Sequence, residues 1–143
     1  MTVERRRAED FLELVERAKR GRLKLYLGFA AGVGKTYRML EEGHRRKSRG
    51  TDVVIGYVEP HERPLTVEMA QGLETVPRRH LTYRGTQFAE MDLDAVLARR
   101  PTVALVDEMA HTNVPGCRNE KRWEDIEELL DGLIPHGFRS YAT

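Results

Sequence analysis

Cysteine is nearly absent from this chain: Cys117 is the only one among 143 residues. One thiol cannot close an internal disulfide, so nothing implies an oxidising compartment. Cys117 reads as an ordinary loop thiol. Long apolar runs are also missing, and no stretch approaches the roughly 20 residues needed to cross a bilayer. The basic N-terminus has no apolar stretch behind it, which excludes a secretory signal. Nor is there an excess of charge of one sign. With a formal net charge of +1, the chain offers no electrostatic case for nucleic acid or an anionic membrane as its main partner. The local clusters Arg5-Arg6-Arg7 and Arg45-Arg46-Lys47 fall in helical segments and read as solvated faces. A cytoplasmic location is expected.

What is present is a composition of 40% apolar and 33% charged residues, enough for one domain with a core. Ala8, Phe11, Leu12, Val15 and Ala18 recur at helical spacing and predict an amphipathic N-terminal helix, with Gly21 as its stop. Leu23–Leu27 reads as a strand, Lys35 to Arg49 as a helix, and Asp52–Val58 as a second strand. The polar segment Glu59–Pro64 reads as a loop, and Thr66–Leu73 as a short helix. His80–Tyr83 is a weak third strand. Asp92–Arg99 is a helix broken by Pro101, Thr102–Val106 a strand, residues 109–121 a polar loop, and Trp123 to Leu133 a last helix. Strands alternate with helices and are continuous apolar runs, which suits a parallel sheet buried on both faces. The expected class is α/β, a phosphate-loop NTPase-like three-layer sandwich with a mostly parallel sheet. Residues 1–20 would form a helical extension, 21–134 the core domain, and 135–143 a divergent tail.

An apolar strand, a glycine-rich turn and a helix start converge on Gly28–Thr36, which runs GFAAGVGKT. Glycines let backbone N–H groups turn inward, and a helix N-terminus adds unpaired donors and a positive dipole end. The spacing departs from the usual pattern, with five residues between Gly28 and Gly34 and Phe29 at the first-glycine position. Gly32, Val33, Gly34, Lys35 and Thr36 are the expected triphosphate residues, with Lys35 on the β- and γ-phosphates and Thr36 on Mg²⁺. Such a site needs a carboxylate at a second strand end. Asp107 is expected to hold the magnesium, and Glu108 to polarise an attacking water as a candidate catalytic base. No Asn-Lys-x-Asp run follows the acidic strand to read guanine, which favours ATP over GTP. The acidic run Asp107-Glu108-Met109-Ala110-His111 is not read as a helicase box, because helicases clamp a strand between two sheet domains and need a basic, aromatic-lined groove.

Three runs carry a more specific likeness: Gly21–Thr36, Val58-Glu59-Pro60-His61-Glu62-Arg63, and Asp107 to Arg118 followed by Lys121 to Leu130. They resemble the N-terminal cytoplasmic, ATP-binding domain of the Kdp potassium-sensor histidine kinases (KdpD). The resemblance covers about residues 21 to 134 and implies a regulatory domain of a two-component system that responds to potassium limitation and osmotic stress. It implies ATP and Mg²⁺ as ligands through Lys35, Thr36 and Asp107, and a sensor kinase or response regulator as protein partner. Nucleotide would order the phosphate loop and the Met109–Lys121 loop, which then presents a surface to that partner. Glu62 stands where the family usually has glycine, so Arg63 is not assigned to the γ-phosphate. His61 and His111 are read as hydrogen-bonded loop residues. The final residues, Pro135 onward, do not read as the family's next strand. A chain without transmembrane helices or kinase parts is therefore expected, as a fragment, a truncated gene product or a free-standing regulator, with one sheet edge left open. The alternative reading is a stand-alone small NTPase or nucleoside-type kinase.

Overall fold

A computed structural model of the protein describes residues 3–19, 23–26, 34–61, 63–133 and 137–143. Helix α1 spans Val3–Lys19 and is followed by strand β1, Leu23–Leu25. The long helix α2, Lys35–Ser48, turns Met39, Leu40 and Gly43 inward and leaves Arg45, Arg46 and Lys47 in its last turn. Those cations complement the negative end of the helix dipole. Strand β2, Val53–Tyr57, is buried at every position. Helix α3, Pro64–Gln71, starts with proline where the missing N–H costs nothing. Then come the two-residue strand β3, Glu74–Thr75, and strands β4, Arg79–Tyr83, and β5, Thr86–Glu90. Helix α4, Leu93–Arg99, is capped by the Asp92 carboxylate, which accepts from the Ala95 N–H at 3.1 Å. Strand β6 is Val103–Val106, helix α5 is Arg122–Leu133, and strand β7 is Arg139–Ala142.

Five strands form one sheet in the order β1-β7-β6-β2-β3, and every pairing is parallel. Successive residues on β2 and β6 point to opposite faces, so apolar runs feed two cores. Met39 and Leu40 of α2 and Leu73 pack with Val53, Ile55, Val103 and Leu105 on one face. Val96 of α4 and Ile126, Leu129 and Leu130 of α5 pack with Val54, Ala104 and Val106 on the other. The sheet is thus the middle of three layers. At Gly43 a Cβ would lie 2.7 Å from Leu105 Cδ1. Gly43→Val is therefore expected to lower stability by about 1–3 kcal/mol through overpacking. Chemical denaturation reads this directly, and an unchanged midpoint would contradict the close approach.

Two expectations are corrected. The first concerns the tail. Residues 139–142 form β7, which inserts between β1 and β6 rather than leaving an edge open. The physical reason is burial: Phe138, Ser140, Tyr141 and Ala142 are each no more than 2% exposed, and the strand donates and accepts on both sides. The second concerns the weak third strand. His80–Tyr83 does not enter the main sheet but pairs antiparallel with β5 in a separate hairpin. Its two-residue turn, Arg84-Gly85, has φ of 50° and 76°, the left-handed pair that suits the twist of a tight hairpin. Helix α1 packs on β1 and α5, and the Phe11 ring meets the Trp123 ring edge-on at 5.8 Å.

Candidate nucleotide site

The site lies at the C-terminal ends of the parallel strands, where open α/β sheets bind ligands. Of the sequence-predicted loop, Gly28, Phe29, Gly32 and Val33 fall outside the described residues. Gly34 caps α2 with φ 71° and ψ 1°, a left-handed conformation that glycine adopts without strain. Lys35 is half-buried in the first turn of α2. Thr36 directs its hydroxyl at the strand end of β6, donating to Asp107 at 3.1 Å from both carboxylate oxygens. Two residues 71 positions apart in sequence are thus brought together.

Asp107 is only 3% exposed. Its carboxylate also accepts from the backbone N–H of Glu59 at 3.2 Å, the N–H of Glu108 at 3.0 Å, and the Thr143 hydroxyl. The residues present fit a magnesium ion. Two ligand oxygens in adjacent octahedral positions at about 2.0–2.1 Å from the metal lie roughly 3 Å apart. The separation of Thr36 Oγ1 from either Asp107 oxygen is 3.1 Å. Among the described residues no group of three or more His, Cys, Asp or Glu forms a metal cage.

Glu108 is placed differently from a free base. Its Oε1 lies 2.9 Å from His61 Nε2, and its Oε2 lies 3.8 Å from Arg122 Nη1. Both His61 and Glu108 have positive φ, 49° and 53°. Non-glycine residues so disposed cost of order 1–3 kcal/mol each and cluster at functional sites. His111 Nε2 lies 2.8 Å from Glu90 Oε1. Both histidines are hydrogen-bonded loop residues, as the sequence reading has them. A cleft of about 50 Å³ runs beside Thr36, lined by Gly34, Tyr37, Glu59, His61 and Arg63 among others. Arg63 is exposed at the N-terminus of α3 and lines the same cleft.

The Met109–Lys121 loop is tied by its own bonds. Asn113 donates to Asn119 O at 3.1 Å and to Asp125 Oδ2 at 2.9 Å, and Asn119 donates to Asp125 Oδ1 at 2.9 Å. Burial pushes the Asp125 carboxyl up, and these two amides pull it back. Burial likewise pushes the Cys117 thiol up, which supports an unreactive loop cysteine.

Sequence reasoning passed over three contributors. Glu59 acts through its backbone N–H, which no side-chain pattern reveals. Thr143 lies in the segment read as a tail. Arg122 stands just ahead of the apolar stripe of α5 and looks like a surface cation, yet it is fully buried. A charged residue beside tryptophan at the start of an amphipathic helix was its only signal.

The family described as "KdpD: Osmosensitive K+ channel His kinase sensor domain" matches residues 19–135. The chain belongs to this family. "Sensor protein KdpD" of Mycobacterium tuberculosis is 58% identical over 116 residues, 81% of this chain and 14% of the relative. "Sensor protein KdpD" of Escherichia coli K12 is 51% identical over 126 residues, 88% of this chain and 14% of the relative. A "Putative sensor protein KdpD" of Synechocystis is 54% identical over 112 residues, 78% of this chain and 30% of the relative. The chain therefore spans about one-seventh of the length of the first two relatives. No helix among the described residues is long and apolar enough to cross a membrane.

Proposed function

We propose that this chain is an ATP-binding regulatory domain of a potassium- and osmotic-stress-responsive two-component sensor kinase, on a phosphate-loop NTPase-like fold. The observation that carries the reading is the meeting of the Thr36 hydroxyl with the Asp107 carboxylate at the N-terminus of α2, in a chain of the KdpD family. The α2 N-terminus supplies unpaired N–H donors and a positive dipole end for phosphate. Gly32, Val33 and Gly34 would bring backbone N–H groups to the phosphates, and Lys35 a charge. Thr36 and Asp107 would hold Mg²⁺, whose chemistry is to neutralise charge on the β- and γ-phosphates. Because Met109–Lys121 already has its own hydrogen bonds, nucleotide would reposition that loop rather than fold it. The shifted loop would then alter the surface offered to a sensor-kinase or response-regulator partner.

The Glu108 carboxylate is engaged by His61, so a water-polarising role requires that contact to open. The alternative of a stand-alone small NTPase or nucleoside-type kinase has no observation in its favour that the regulatory reading lacks.

Calorimetric titration of the chain with ATP, with and without Mg²⁺, tests the proposal. Saturable binding that tightens with Mg²⁺ is the expected result. Absence of binding in both conditions would sink it. Phosphate release measured on the same samples then separates regulator from enzyme.

A further inference from the structure

Arg122 is the first residue of α5 and is 0% exposed. Its position is unfavourable twice over. Burying an ion is costly unless it is paired, and a helix N-terminus is the positive end of the dipole. Glu90, 4% exposed at the end of β5, answers the charge through Oε2 at 3.2 Å from Arg122 Nη2. The ring of Tyr57 lies 3.7 Å from the guanidinium carbon. If stability were the only demand, an apolar pair of similar volume would serve as well or better.

The other arm of the guanidinium does something that Glu90 does not require. Nη1 donates to the backbone carbonyl of Asp107 at 3.2 Å and lies 3.8 Å from Glu108 Oε2. The Asp107 carbonyl belongs to the peptide that leads into Glu108, the residue with φ of 53°. That left-handed turn points the Glu108 N–H back at Asp107 Oδ1, 3.0 Å away, and at Thr143 Oγ1, also 3.0 Å away. It also sends the Glu108 carboxylate toward His61. A planar fork can satisfy Glu90 and the Asp107–Glu108 peptide at once, whereas a lysine ammonium on a flexible stem has no such fixed geometry.

We propose that Arg122 is a positioning residue of the nucleotide site. Its guanidinium holds the Asp107–Glu108 peptide in the left-handed turn, and the turn aims the Asp107 carboxylate at Thr36. The inference rests on the ATP–Mg²⁺ reading for its binding consequence, but its geometric part stands without nucleotide.

The test uses the 143-residue chain and Arg122→Lys, with Ile126→Val as a control that loosens the same helix without touching Asp107. In the nucleotide-free proteins, Arg122→Lys is expected to shift the backbone amide resonances of Glu108 and Thr36, and Ile126→Val to leave both in place. In ATP titrations, the Mg²⁺ concentration at half-effect is expected to rise about tenfold in Arg122→Lys, while ATP binding without Mg²⁺ stays within about twofold. Adding Glu108→Gly, which lets that position adopt positive φ freely, is expected to bring the Mg²⁺ midpoint most of the way back. A merely structural arginine would weaken both kinds of binding together and would not be rescued at position 108. Either outcome overturns the inference, as does an unmoved Glu108 amide. If the native chain binds no ATP, the nucleotide reading fails and the amide shifts alone decide the positioning. If Arg122→Lys does not fold, the native chain decides: scalar coupling across the hydrogen bond from Arg122 Nη1 to the Asp107 carbonyl carbon supports the contact, and its absence overturns it.

Discussion

Lys35→Ala is expected to weaken ATP–Mg²⁺ binding by roughly 10- to 150-fold, the loss of one charge-assisted contact worth about 1.5–3 kcal/mol. Thermal stability of the nucleotide-free chain should hardly change. The side chain is half-buried at the start of α2, where a cation gains nothing from the helix dipole. Alanine is also the better helix former. The effect should therefore appear in the binding isotherm and not in the melting curve of the free protein. A truncated side chain leaves the helix N-terminus and the Thr36–Asp107 pair intact, so weak Mg²⁺-dependent binding should survive. Equal affinity in native and Lys35→Ala proteins would mean that phosphate is not held here.

The second large effect concerns the final strand. Ending the chain after Gly137 is expected to abolish the native fold at ordinary temperature. Phe138 and Tyr141 are each 2% exposed, and loss of a buried aromatic side chain typically costs about 3–5 kcal/mol. Two such losses approach the whole stability of a domain, about 5–15 kcal/mol. The backbone loss compounds them. Without β7, the β1 and β6 strands face a gap one strand wide, and the N–H and C=O groups of Leu23–Leu25 and Val103–Val106 lose their partners on that side. Circular dichroism and a cooperative urea transition measure the outcome. A shortened chain that still unfolds cooperatively, with an unchanged midpoint, would show that the sheet does not depend on β7.

The elements that local pattern encodes were legible in the sequence. Val53–Tyr57 and Val103–Val106 are apolar at nearly every position because both faces are covered, and such runs announce a buried parallel strand. The start of α2 was legible because glycine, lysine and threonine at a strand-to-helix junction have few other uses, and Asp107 because it closes an apolar strand. The unread parts have physical reasons too. β7 runs Arg-Ser-Tyr-Ala, and three of its four residues are buried although only two are apolar. Ser140 is accommodated there by donating to the Ala104 carbonyl at 3.4 Å, a partner no local pattern can reveal. Of the β4–β5 hairpin only His80–Tyr83 reads as a strand; β5 is exposed at its first three positions and carries no alternation to mark it. Arg122 was unreadable because a buried charge is legible only through its partners, and Glu90 is 32 positions away.

The place of β7 in the sheet also bears on when the candidate site comes into being. Thr36 follows β1, and Asp107 follows β6, yet these strands are not neighbours. Residues 139–142 separate them, and β1 pairs with β7 across more than a hundred positions of sequence. Closure of so long a loop must precede the contacts that reward it, which slows folding. On the ribosome, α2 can dock on β2 and β6 before β7 emerges, but β1 gains its place in the sheet, and the Asp107 carboxylate its bond from the Thr143 hydroxyl, only when the last residues have left the exit tunnel. A half-made chain would therefore carry an incomplete site.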